Sequence, residues 1–240
     1  MNKNNNLKKA TLNDVKTYNE LLARLQTLGE SQDKTEEWNE AARQLNEFES
    51  GLDWFPEVFE EGGKQGLKDL DGTVIVPARF DTIATCFSRH SMPLDKPVIV
   101  CDGGRFGMVK TDGSGEMVLP CEHDRIHVFG FAPQFYVVED KGRKGMILGD
   151  GTELIPQIAD AIYEPCNDAV VFDSNGKSGL WSLEDGLYVE PLYDELITEF
   201  EEPVIAIRDG IEGFLSAEDG HFISKDDYEL DDDPVIGCFA

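Results

Sequence analysis

Gly176-Lys177-Ser178-Gly179-Leu180, followed by Asp185-Gly186-Leu187-Tyr188-Val189-Glu190-Pro191-Leu192-Tyr193-Asp194, is the stretch on which the fold turns. It reads as a tight turn, an apolar strand opening at the second glycine, an Asp-Gly turn, and a further apolar strand running to Pro-x-x-Tyr-Asp. The same punctuation returns at Gly66, Gly107, Gly145 and Gly213, so the five second glycines stand 34 to 41 residues apart. Self-similarity at that period marks a tandem array of small units.

Within each copy the residue after the second glycine is large and apolar: Leu67, Met108, Met146, Leu180 and Phe214. Such a row predicts one buried line along the array. The Asp-Gly turns are Asp71-Gly72, Asp112-Gly113, Asp150-Gly151, Asp185-Gly186 and Asp219-Gly220, and both residue types tolerate the positive φ of hairpin turns. Entering strands are read over 98–100, 135–138, 169–172 and 204–207, with no convincing one in the first unit. Pro77, Pro120, Pro156 and Pro191 are expected to end the third strand, because proline brings no N–H to a ladder. Each unit is therefore read as three strands. Asp81, Asp124, Asp160 and Asp194 are expected to accept backbone N–H bonds at the corners between units.

Ahead of the array the periodicity is helical. Leu12, Val15, Tyr18, Leu21, Leu22, Leu25 and Leu28 mark one apolar face, with Thr11 and Asp14 as a capping-type start and Gly29 as the stop. A second helix from about Asp33 to Gly51 carries Trp38, Ala42, Leu45 and Phe48 on one stripe. Trp54-Phe55-Pro56 reads as the splice to the array. The expected organisation is a disordered tail over 1–10, a helical hairpin and connector over 11–61, the array over 62–230 and an acidic tail over 231–240. The fold class is mainly β: five three-stranded repeats behind an N-terminal α-helical hairpin. Three strands per unit favour an open, solenoid-like array, since a propeller blade usually has four; a five-bladed propeller is the alternative.

The turn and corner residues resemble those of the WG-repeat family, whose units read Gly-Lys-Trp-Gly-Leu-Ile-Asp-x-x-Gly, an apolar strand, then Pro-x-x-Tyr-Asp. The matches include Gly63-Lys64-Gln65-Gly66-Leu67 with Pro77-Ala78-Arg79-Phe80-Asp81, and the stretch quoted first; together they span about residues 62–230. The family's tryptophan is replaced by Gln65, Phe106, Lys144, Ser178 and Glu212, and its tyrosine slot holds Phe80, His123, Ala159 and Tyr193. The resemblance implies an array of small β-units and no catalytic activity.

Charge is the strongest pointer to function. Of 240 residues, 48 are acidic and 21 basic, a net of -27. Such a surface repels duplex nucleic acid and anionic membranes and favours cationic partners. Acid is densest over 199–233, where Arg208 and Lys225 are the only basic residues. That segment reads either as a solvated terminus or as a partner-docking patch. On the docking reading the contacts are Glu201, Glu202, Asp226, Asp227, Asp231, Asp232 and Asp233, with Trp181 and Phe200 as aromatic anchors.

Other motifs resolve into structure. Gly103-Gly104-Arg105-Phe106-Gly107 opens a strand, lacks the dinucleotide glycine spacing, and is a repeat turn. His123 and His127 would lie roughly 13 Å apart on an extended chain, so structural roles are expected. Asp69-Leu70-Asp71-Gly72 lacks the distal ligands of a calcium loop and reads as a turn. Cys86, Cys101, Cys121, Cys166 and Cys238 are odd in number, without Cys-x-x-Cys spacing, which fits a reducing compartment. No cofactor is called for. Neither a secretory h-region over 1–9 nor a stretch of membrane-span length is found, so a cytoplasmic location is expected. The leading expectation is a non-enzymatic acidic protein-binding module for a basic protein, in its narrower form a bacterial immunity protein neutralising a basic toxin. The alternatives are a scaffold docking through its helical hairpin and a cation-binding repeat protein.

Overall fold

The computed structural model describes residues 7–29, 35–53, 56–69, 71–84, 96–129, 135–166, 169–183, 185–199, 203–231 and 234–236. A two-residue strand, β1 (Lys8–Lys9), precedes helices α1 (Leu12–Gly29) and α2 (Thr35–Ser50) and pairs in parallel with β2 (Leu52–Asp53). Of the tail expected over 1–10, residues 1–6 lie outside the described residues, while Ala10 is buried. The capping reading of α1 holds: Thr11 N donates to Asp14 Oδ2 at 2.9 Å, and Asp14 N donates to Thr11 Oγ1 at 3.3 Å. Two orphan amides are thereby satisfied reciprocally. The buried stripe of α2 is Ala41 and Leu45 with Phe48 beside it, whereas Trp38, expected on that stripe, is 41% exposed. The proposed splice at Trp54-Phe55 lies outside the described residues.

Five antiparallel sheets follow. The first is β3 (Glu57–Glu61), β4 (Lys64–Lys68) and β5 (Val74–Phe80); the second is β6 (Thr82–Ile83), β7 (Val98–Asp102), β8 (Arg105–Val109) and β9 (Met117–His123). The third is β10 (Arg125–Val128), β11 (Phe135–Asp140), β12 (Arg143–Leu148) and β13 (Glu153–Ala159). The fourth is β14 (Ala161–Ile162), β15 (Ala169–Ser174), β16 (Lys177–Ser182) and β17 (Tyr188–Tyr193). The fifth is β18 (Glu195–Ile197), β19 (Ile205–Arg208), β20 (Ile211–Leu215) and β21 (Phe222–Ser224), after which comes α3 (Lys225–Asp231).

Three sequence expectations are corrected here. Among the described residues four sheets have four strands and the first has three, because the chain leaving each corner Asp pairs briefly before the entering strand. Strand number therefore no longer favours an open array over a propeller. The first unit does have an entering strand, β3, whose register runs from Glu57 opposite Lys68 to Glu61 opposite Lys64. Finally, Pro77, Pro120, Pro156 and Pro191 lie inside β5, β9, β13 and β17 rather than ending them. Each of these is an edge strand, and the ladders of β5, β13 and β17 shift register beside the proline, so a missing N–H costs little there.

The two glycines of the repeat turn have different work. The first closes a two-residue hairpin with positive φ at both positions, as in Asn175 (53°) and Gly176 (78°) or Asp209 (54°) and Gly210 (76°). The second is needed for close approach. A Cβ on Gly179 would stand 2.6 Å from Phe172 Cζ and 2.7 Å from Val189 O, because the bulged third strand crosses directly over it. In the Asp-Gly turns only the glycine has positive φ; at three of them the Asp accepts an amide two residues on, Asp112 from Ser114, Asp150 from Thr152 and Asp219 from His221.

The chain divides into two compact units, residues 1–122 and 123–240. In the first, Leu67 and Val76 of the first sheet share a core with Val98 and Val100 of the second, and Ala10, Val15 and Phe48 pack on the same cluster. In the second, Val137, Met146 and Ile155 of the third sheet meet Val170 and Phe172 of the fourth. The next layer joins Val171, Leu180 and Val189 of the fourth sheet to Ala206 and Leu215 of the fifth and to Val204 just ahead of β19. Successive residues of β15 thus serve opposite layers, as strand pleating requires. Leu67, Met108, Met146 and Leu180 are each 0% exposed.

Candidate functional site

Much of the acid has structural employment. Asp81 Oδ2 accepts from Gly103 N at 2.8 Å, Asp124 Oδ2 from Lys141 N at 2.6 Å, Asp160 Oδ2 from Asn175 N at 2.7 Å and Asp194 Oδ2 from Gly210 N at 3.4 Å. Three of these carboxylates also meet a cation from the preceding sheet: Lys64 to Asp81 at 2.7 Å, Arg143 to Asp160 at 2.5 Å and Lys177 to Asp194 at 2.5 Å. The corner Asp therefore latches one sheet's turn to the next. Its carboxyl is held below the ordinary 3.8 by the Lys64 ammonium and then the Gly103 amide at Asp81, and by the Lys177 ammonium at Asp194. At Asp160 the Asn175 amide leads.

His123 is tied to a neighbouring carboxylate. His123 Nδ1 lies 2.7 Å from Asp140 Oδ2, an oxygen that Gln157 Nε2 also reaches at 3.0 Å. His127 is half-buried on β10, and burial followed by the Arg125 charge depresses its pKa. Among the described residues no three His, Cys, Asp or Glu side chains converge as metal ligands. Asp69 is 4% exposed and accepts from Thr73 N at 2.8 Å, a turn bond. Cys101, Cys121 and Cys166 are free thiols.

Of the residues expected to bind a partner, Phe200, Glu201, Glu202, Asp232 and Asp233 lie outside the described residues. Trp181 is half-buried against the core between the third and fourth sheets, so little of its ring is available as an anchor. Asp226 and Asp227 are exposed in the first turn of α3, where Ser224 caps the helix by accepting from Asp227 N at 3.2 Å. Asp231 closes that helix.

Near these acids lies a feature that sequence reasoning missed. The cross-strand row Ile197, Ile205, Phe214 and Ile223 is the register equivalent of Val171, Leu180 and Val189 in the fourth sheet. There the row is sealed by the following sheet. Here, among the described residues, α3 lies over one end, with the Tyr228 ring 4.7 Å from that of Phe214. Ile197, Ile205 and Phe214 stay only half-buried and floor a pocket of about 210 Å³. Pro203, Glu199, Glu212 and Lys225 wall it, and Lys225 Nζ donates to Glu212 Oε1 at 2.8 Å. The one available signal was Phe214 itself: the buried row needs a next unit at every step.

No family model matches the chain, and no curated protein matches it. Among solved structures the chain is similar to one described as PorZ, an essential bacterial surface component of the type-IX secretion system of Porphyromonas gingivalis. The identity is 8% and the TM-score 0.23, over 72% of this chain and 25% of that one. The chain thus spans about a quarter of that structure's length.

Proposed function

We propose that this chain is a non-enzymatic, acidic protein-binding module for a basic protein, working in the cytoplasm as a WG-like repeat array. The narrower form of the proposal is a bacterial immunity protein that neutralises a cationic toxin. The observation that carries it is the net charge of -27, which is only partly absorbed by the corner latches and is left exposed at Asp226 and Asp227. A field of that sign accelerates encounter with a basic surface and weakens as salt screens it. Association with a basic protein encoded beside this one, followed from low salt to about 0.5 M, tests the reading. Binding that fades with salt is expected. Absence of binding at low salt, or indifference to ionic strength, overturns it.

A second reading has one observation in its favour: Trp38 on α2 is 41% exposed. A scaffold that docks through its helical pair would use that ring. Trp38→Ala is a better probe than deletion of residues 1–51, because Ala10 and Val15 belong to the first core. Loss of partner binding in the folded variant would favour the scaffold.

A further inference from the structure

We infer that His127 makes strand β10 an acid-sensitive catch: when its ring takes a second proton, β10 parts from β11 while the rest of the third sheet stays folded. This catch is independent of the acidic binding role proposed above. His127 stands opposite Val137, Val137 opposite Met146 and Met146 opposite Ile155, so the four side chains share one face. Val137, Met146 and Ile155 are buried with Val170 and Phe172 of the fourth sheet. The imidazole is thus the polar end of an otherwise apolar row. Other copies of the repeat fill the same place differently: the second, fourth and fifth sheets carry Ala84, Tyr163 and Ile197 there, which bond to or pair with Ile99, Val171 and Ile205. Of these four residues only His127 gains a positive charge between about pH 5 and pH 8.

Burial falls unevenly on the ring. The residue is half-buried, but its Nδ1 is closed off from solvent and meets no hydrogen-bond partner among the described residues. A neutral imidazole tolerates this by keeping its proton on Nε2 and leaving Nδ1 bare. The imidazolium cannot, since both nitrogens then carry a proton and one N–H points where no acceptor waits. Charged groups around the ring pull both ways. Arg125 on β10 and Lys144 on β12 oppose the cation, while Glu139 on β11 and Glu164 beyond β14 favour it. Desolvation is the largest influence, and it holds the ring below the ordinary 6.5. With the folded value depressed, stability present above 6.5 is lost as pH falls through the folded value. The loss is taken up locally, because β10 is four residues long and lies at the edge of its sheet. The whole chain can lose no more than the free energy of parting that strand, so its melting midpoint changes little.

Hydrogen exchange on the full chain tests the catch, with amide protection compared at about pH 7.5 and about pH 5 after correction for the intrinsic pH dependence of exchange. The protein is taken as wild type, as His127→Ile, whose side chain fills the matching place in the fifth sheet, and as His127→Gln in case the first variant does not fold. In wild type the β10 amides should lose at least about three-fold in protection at the lower pH, while those of β15 and β16 keep theirs. In the variants β10 should be equally protected at both pH values. A ring that only packs would change the protection of β10 in the variants and leave its pH dependence intact, which overturns the inference. Protection of wild-type β10 that ignores pH overturns it too, as does a loss shared equally by β15 and β16.

Discussion

Gly179 illustrates how much of this fold depends on a missing methyl group. It sits opposite a bulge, with Phe172 Cζ 2.6 Å and Val189 O 2.7 Å from where a Cβ would project. One of those neighbours is backbone and cannot turn aside. Gly179→Ala should therefore cost about 1–3 kcal/mol, the range for overpacking, read as a lower urea midpoint at unchanged slope. Gly176→Ala meets no atom within 4 Å, and its penalty comes from a φ of +78° alone. The corner carboxylates make a different prediction. Asp81, Asp160 and Asp194 are all held below 3.8 in the folded chain by cations and amides. A depressed folded pKa gives stability that is present above the unfolded value and lost as pH falls through the folded one. Thermal midpoints should hold down to about pH 4 and fall steeply below it. Asp194→Asn should lower the midpoint at neutral pH and flatten that acid slope; an unchanged slope would mean the latch contributes nothing.

At the scale of elements, residues 234–236, after α3, belong to the fold. Ile236 is 1% exposed, accepts from Val204 N and donates to Leu215 O at 2.9 Å each, and shares the core of Leu180 and Leu215. Ile236→Ala should cost about 2–5 kcal/mol, measurable by denaturant unfolding, whereas a dangling tail would tolerate the change. The sequence concealed this segment because Val235 and Ile236 follow directly on an acidic run that dominates its composition. Other elements were legible or hidden for equally physical reasons. The hairpin turns, the corner Asp residues and the Thr11–Asp14 cap were readable because each is a local motif that needs particular side chains. The strands β6 and β14 were not, being two residues each and too short for any periodicity to show. Strand β3 carries three Glu in five residues and resembles a linker, since an edge strand tolerates charge. The prolines misled because their effect depends on whether a strand is at an edge, which is a property of the sheet. The candidate site escaped for a similar reason: Phe214 fits the row by position, and only the absence of a following sheet among the described residues opens it.

For the whole molecule the decisive quantity is an imbalance of 48 acidic against 21 basic residues. Salt acts on it in two opposed ways. Screening weakens the latches Lys64–Asp81, Arg143–Asp160 and Lys177–Asp194, whose partners are roughly 39–49% exposed. Exposed pairs of this kind each contribute little, because water and salt screen them. Screening also relieves the mutual repulsion of a net -27 held on a folded chain. Repulsion of that kind acts among all the unpaired carboxylates at once, while the latches number only a few. Relief should outweigh loss, so the thermal midpoint is expected to rise as NaCl goes from about 0.02 M to about 0.5 M. Sulfate would add preferential exclusion to screening, which makes chloride the cleaner probe. The same titration read against partner binding should move the opposite way, because screening removes the attraction that steers a cationic surface onto this one. A midpoint that falls with chloride would mean that the latches, and not the bulk charge, govern the stability of the array.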